Sequence, residues 1–168
     1  MIVSSEAPFS APAYRLPNCT LCRLEEEDQA LSTVSRALAG MEPWLTLGYT
    51  HEGLHNYLVR PDSALMKYLV SISGEAAGLV CIRYPWLRGP CLELLAVFDE
   101  HQGRGTGTQI LRWIEEQVRS VSDNLWVLVS SFNAGALKFY QSQGFVKIGA
   151  VPDLVKPGYD EIVYRKTL

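Results

Sequence analysis

The sequence predicts an α/β chain, an α+β mixed sheet covered by helices, in the order β-α-α-β-β-β-α-β-α-β-β. Three stretches carry that expectation. Leu92 to Thr108 opens with an apolar run of strand length, turns at Asp99-Glu100-His101, and passes glycines 103, 105 and 107 as a helical pattern begins. Leu125 to Ser130 is a second strand-like run, followed by a helical one from Ala134 to Gln143. Ala64 to Ser71 and Ala76 to Tyr84 are two runs rich in Leu, Val, Ile and Tyr, parted by Ser73-Gly74-Glu75, which signals a hairpin.

Taken in order, residues 1–17 carry Pro8, Pro12 and Pro17 among small residues and read as an extended arm ahead of a single domain over 18–168. Thr20 to Arg23 suits a short strand. Glu25 to Ala39 places Ala30, Leu31, Val34 and Leu38 at helical spacing and stops at Gly40. Met41 to Tyr49 is a loop rich in aromatic and apolar side chains. Thr50 is suited to cap a second helix running towards Val59, before Pro61. His51 and His55 lie four apart on it, a spacing that two metal ligands could use, but no third ligand is near, so no metal site is expected. After the hairpin, a turn over Pro85 to Pro90 leads into the central strand. The helix beyond the glycines sets Ile110, Leu111, Ile114 and Val118 against a polar face of Gln109, Arg112, Glu115, Glu116 and Arg119. Asn133 suits the cap of the next helix, and Gly144 is placed to end it in a left-handed conformation. Phe145 to Ala150 and Glu161 to Thr167 read as the last strands, with an insert over Val151 to Asp160 between them.

The glycine turn is the chemically informative stretch. A helix start presents unpaired N–H groups and the positive end of the helix dipole, and glycines let a ligand come close to them, so the turn reads as a phosphate cradle. A dinucleotide fingerprint fails, because the third glycine position after Gly103 and Gly105 is Thr108. A nucleoside-triphosphate loop fails too, because Gly-Lys-Ser/Thr occurs nowhere in the chain. Gln102-Gly103-Arg104-Gly105-Thr106-Gly107 does match Gln/Arg-x-x-Gly-x-Gly/Ala. One helix and one strand later, Asn133 to Phe145 matches Asn-x-x-Ala-x-x-Phe-Tyr-x-x-x-Gly-Phe. On these two ordered motifs the chain resembles the GNAT superfamily of acyl-CoA-dependent N-acetyltransferases.

The resemblance implies a fold in which the central strand and the 125–130 strand splay apart, with acetyl-CoA as co-substrate entering the gap. It implies that Gln102, Gly103, Arg104, Gly105, Thr106, Gly107 and Thr108 hold the pyrophosphate. Arg104 either adds a charge-assisted contact or is solvated. Main-chain groups of Leu95, Ala96 and Val97 pair with the pantetheine arm, and an N–H there polarises the thioester. Tyr140 holds the position that protonates the departing thiolate, a role that a phenol near ~10 beside a thiol near ~8.5 can fill; a core tyrosine is the plainer alternative. Asn133 caps its helix and touches the cofactor. Glu93 is the carboxylate within the central strand, and alternation puts it beside Cys91 and Leu95. It is a candidate general base, or it pairs with Lys67 or Arg83, or it faces outward. The family's other base position falls on Leu128, which cannot serve, and a route in which the amine arrives neutral stays open. Trp44 and Tyr49 wall an acceptor pocket, and Asp160 or Glu161 holds a cationic group, unless these residues merely pack their loops.

Composition sets the outer bounds. Apolar residues make up 48% and charged residues 20% of the 168, as in an ordinary globular protein. A net charge of −3 gives no basic surface for nucleic acid. Neither a signal-peptide pattern nor an apolar run of ~20 residues is present, so a cytoplasmic protein without a membrane role is expected. Cys19-x-x-Cys22 and the single Cys81 and Cys91 do not make a zinc or disulfide framework. The expected partner is a small-molecule or peptide amine, and dimers are common among relatives. A non-catalytic acyl-CoA-binding sensor of the same fold is the alternative.

Overall fold

A computed structural model describes residues 7–25 and 28–168. The strands are β1 Ala13–Arg15, β2 Thr20–Arg23, β3 Leu65–Ile72, β4 Glu75–Trp86, β5 Gly89–Val97, β6 Asn124–Ser130, β7 Val146–Pro152 and β8 Asp160–Thr167. The helices are α1 Ala30–Ala39, α2 Trp44–Leu47, α3 His51–Val59, α4 Thr106–Val118 and α5 Ala134–Ser142. All eight strands form one mixed sheet in the order β1-β2-β3-β4-β5-β6-β8-β7. Among the described residues its one parallel pair is β5 with β6.

Two apolar layers sandwich the sheet, each built by a helical stripe the sequence shows. Leu31, Val34 and Leu38 of α1 and Leu54 and Leu58 of α3 pack with Leu79, Leu94 and Ala96. Ile110, Leu111, Ile114 and Val118 of α4, with Tyr140 of α5, pack with Val80, Leu92 and Val127 on the other face. The caps fall where expected: Thr50 Oγ1 accepts from Gly53 N–H at 3.0 Å, and Gly144 follows α5 at φ +88°.

The expected order lacked β1 and the one-turn α2. β1 is three residues long in a proline-flanked stretch, too short to show a period, and its pairing of Ala13 with Cys22 is set by β2. The same stretch inserts Phe9, wholly buried, edge-on against Trp113 with ring centroids 5.4 Å apart. Part of the expected arm (residues 1–6) lies outside the described residues. The first helix was expected from Glu25. It begins at Ala30, whose N–H donates to Asp28 Oδ1 at 2.8 Å, and residues 26–27 lie outside the described residues.

Alternation along the central strand also fails at one point. Cys81 faces Leu94 while Ile82 faces Leu92, so Glu93 is the extra residue of a β-bulge. Leu92 and Leu95 therefore share the α4–α5 face, and Leu94 and Ala96 the α1–α3 face. The bulge breaks the alternation that would relate Glu93 to Leu95, and the Glu93 carboxylate reaches Tyr57 of α3 and Arg83 of β4.

Close contact of β4 with β5 makes Gly78 sensitive. A Cβ there would lie 2.1 Å from the Ala96 carbonyl oxygen. Gly78→Ala is expected to cost at least ~1–3 kcal/mol through forced backbone displacement. A denaturant midpoint unchanged from the parent protein would show that the sheet gives way freely here.

Candidate active site

β5 and β6 pair only at Cys91–Trp126 and Leu92–Val127. Beyond Leu92, β5 continues along β4 as far as Val97, while beyond Val127, β6 continues along β8 as far as Ser130. The bulge at Glu93 sits where they part. The facing edges of two interior strands are thereby left open, and such an edge is a template for an extended ligand.

Each of these strands runs into a helix that starts at the gap. At α4, Gly103 and Gly105 take φ +73° and +77°, and the space where their Cβ atoms would stand is empty to 4 Å. Both conformations suit glycine and strain a side chain. No side chain of the described residues caps this helix. Among the described residues, the N–H groups of Thr106, Gly107 and Thr108 have no intramolecular acceptor, and the first helical bond is Gln109 N–H to Gly105 O at 3.1 Å. The turn is braced from both sides. Gln102 Nε2 donates to Val97 O at 2.8 Å and to Asp99 Oδ1 at 3.0 Å. From the β1–β2 turn, Asn18 Nδ2 donates to Arg104 O at 2.9 Å, and Asn18 N–H donates to Gln109 Oε1 at 3.1 Å.

A cavity of about 800 Å³ runs from this turn along Leu95, Ala96 and Val97 to Asn133 and Tyr140. A second, of about 360 Å³, meets it over Leu95, Asn133, Ala136 and Tyr140. It is walled by Trp44, Leu47 and Tyr49 on one side and by Leu154 and Val155 on the other, with Glu93 and Glu161 among its lining. Lys156 Nζ ties the 151–160 insert to α2 through Thr46 O at 2.7 Å. The open glycine turn with its acceptor-free amides, continuous with a long cavity, suits the pyrophosphate and pantetheine parts of acetyl-CoA.

The site residues expected from sequence fall as follows. Gln102, Gly103, Gly105, Thr106, Gly107 and Thr108 line the first cavity. Arg104 does not; its Nη2 donates to Glu100 O at 3.0 Å. Asn133 Oδ1 accepts from Ala136 N–H at 3.1 Å, the cap read from sequence, and the residue lines both cavities. Tyr140 also lines both, and burial, with Cys91 nearby, pushes its phenol well above the usual range, so it stays protonated. Trp44 and Tyr49 line the second cavity, where burial and then the charges of Glu161 and Glu93 raise the Tyr49 phenol. Asp160, which pairs with Pro152 across β7 and β8, lines neither cavity. Its neighbour Glu161 is the residue that enters.

Glu93 is an ion-paired carboxylate. Its Oε2 stands 2.5 Å from Arg83 Nε, and its Oε1 accepts from Tyr57 OH at 2.8 Å. Arg83 holds Asp62 as well, at 2.9 Å, and Lys67 is spent on the Leu58 and Arg60 carbonyls. The Cys91 thiol on the same cavity is pushed up to about 12, by burial first and then by Glu93. Asn18 and Trp86 are contributors the sequence reading passed over. A lone turn asparagine carries no signal, and Trp86 needed the β4–β5 hairpin to bring it edge-on to Trp126 at 5.7 Å.

Residues 23–145 match the model of the Acetyltransferase (GNAT) family. No curated protein matches by sequence. Among solved structures, an acetyltransferase from Thermus thermophilus superposes with TM-score 0.72 at 22% identity, over 92% of this chain and 100% of that one. A GNAT-family acetyltransferase from Chromobacterium violaceum gives 0.79 at 15% identity, over 99% and 92%. RimL, an alpha-N-protein acetyltransferase solved in complex with coenzyme A, gives 0.70 at 14% identity, over 93% and 98%. Identities this low make the likeness one of fold.

Loss of the α5 cap has a defined cost. Asn133→Ala is expected to destabilise the protein by ~1 kcal/mol, because the Ala136 amide loses its acceptor. Urea unfolding measures it, and no change in midpoint would show that the cap is replaced by water.

Proposed function

From the premise that the chain belongs to the GNAT family of acetyltransferases, which a match over most of its length establishes, we propose that it N-acetylates a primary amine. The acetyl group comes from acetyl-CoA, and the amine attacks it directly in a ternary complex. One observation carries the reading: β5 and β6 part directly beside a helix start whose amides have no acceptor among the described residues. That juxtaposition offers a diphosphate its donors and an extended pantetheine chain an open strand edge.

The residues divide the work by position. Thr106, Gly107 and Thr108 give N–H donors at the positive end of α4, and Gln102 and Asn18 hold that turn in shape. Leu95 to Val97 present the free edge of β5, where a backbone N–H polarises the carbonyl of the bound thioester. Tyr140, kept protonated, gives its proton to the leaving sulfur. Direct attack, without a covalent enzyme intermediate, is favoured by the state of Cys91. A thiol pushed up to about 12 is a poor nucleophile at neutral pH.

The test is binding and turnover in one protein. Acetyl-CoA is expected to raise Tm, as a ligand of the native state must, and an added primary amine to release free coenzyme A. Gly103→Asp keeps a residue type tolerant of the left-handed region and sets a carboxylate into open space at the cradle. It is expected to weaken acetyl-CoA at least tenfold while the fold persists. Unchanged affinity in that variant, or no shift with the parent protein, would sink the proposal.

A further inference from the structure

The acceptor cavity holds two carboxylates in opposite circumstances. Glu93 is neutralised by Arg83. Glu161, the second residue of β8, lies opposite Ser130, is 6% exposed, and accepts from the Ser130 hydroxyl at 2.7 Å. Among the described residues no salt bridge reaches it. A carboxylate withdrawn from water and met by a neutral hydroxyl still favours a cationic donor. The space in front of it is bounded by Trp44, Trp86, Leu128, Leu154 and Val155. These walls are apolar and aromatic, suited to the body of a ligand whose charged end meets Glu161.

We infer that Glu161 anchors the acceptor's ammonium and takes its proton, and that the acceptor is a primary amine on an aromatic or apolar body with no carboxylate beside the amine. This rests on the acetyl-transfer reading above. In the step, an N–H bond of the ammonium breaks with its pair left on nitrogen, and the proton forms an O–H bond on Glu161. The freed pair forms the C–N bond to the acetyl carbon as the C–S bond breaks with its pair to sulfur. Tyr140 protonates that sulfur and is restored by one of the two protons remaining on nitrogen. The products are an amide, coenzyme A thiol and the proton that Glu161 releases to solvent.

The charged or titratable groups lining this cavity besides Glu161 are Tyr49, Arg83, Cys91, Glu93 and Tyr140. With Arg83 and Glu93 cancelling and the phenols and thiol neutral, Glu161 leaves the cavity negative, which disfavours a substrate carboxylate. Burial raises the Glu161 carboxyl above the usual range, and the Ser130 hydroxyl opposes this in part. The ionised form that accepts a proton is therefore gained as pH rises through that raised value, and activity should climb over the same interval.

Phenethylamine and phenylalanine, which share a ring and differ in the carboxylate, separate the outcomes. Each is assayed with acetyl-CoA against wild type and Glu161→Gln across pH, with acetyl-CoA binding followed in both proteins by thermal shift. The parent protein is expected to favour phenethylamine at least tenfold in kcat/KM and to show the ascending limb. Glu161→Gln is expected to bind acetyl-CoA as before, lose the limb and fall at least tenfold with phenethylamine. Glu161→Asp, which keeps the charge, should retain the limb and gives the same test if the Gln variant does not fold. Equal or better use of phenylalanine, acetylation of neither amine by a protein that binds acetyl-CoA, a fall below tenfold, or a limb surviving in Glu161→Gln would each overturn the inference. Failure of the parent protein to bind acetyl-CoA would instead remove the reading beneath it.

Discussion

The parting of β5 and β6 is the constraint from which the rest of the site follows. A sheet gains by pairing every strand edge, and an interior gap leaves backbone donors and acceptors on both sides of it unmet. Here the outer edges stay fixed, β5 to β4 through Val97 and β6 to β8 through Ser130, so the strands cannot close on each other without losing those pairs. The bulge at Glu93 marks where β5 changes course. Both strands feed helices that begin at the mouth, and the starts of α4 and α5 line one cavity. Ligands in α/β sheets settle at the carboxyl ends of diverging strands for this reason, because open backbone and helix N-termini coincide there.

The same geometry sorts the acidic groups. Glu93, pushed out of register by the bulge, is caught by Arg83 and Tyr57 on the α3 side. Glu161 enters from the far strand, where it meets a serine and, among the described residues, no ion-pair partner. One carboxylate is thus ion-paired at the point where the sheet opens, while the other meets a neutral hydroxyl at the cavity wall. Burial raises the Glu161 carboxyl, and the Ser130 hydroxyl opposes this in part.

Sequence alone revealed the architecture well wherever a period ran long enough. The stripes of α1 and α4, the β3–β4 hairpin, the caps Thr50 and Asn133 and the glycine turn were all legible because each is local. β1 was not, since three residues among prolines carry no pattern and owe their conformation to β2. Glu93 shows the limit more sharply. Alternation is sound along an unbroken strand, and one inserted residue reverses every inference beyond it. Which of Asp160 and Glu161 enters the cavity, left open by the sequence, is a register question of the same kind, and Glu161 is the one set opposite Ser130. The bracing of the cradle by Asn18 joins residues far apart in the chain and could be seen only in the folded form.

Amide hydrogen exchange with and without coenzyme A reads the central claim at the atoms it concerns. If the gap and the helix start receive the cofactor, the amides of Thr106 to Thr108 and those on the open edge of β5 between Leu95 and Val97 slow together on binding. Should coenzyme A leave both sets exchanging at their free rates, or protect amides elsewhere, this account of the site would be contradicted.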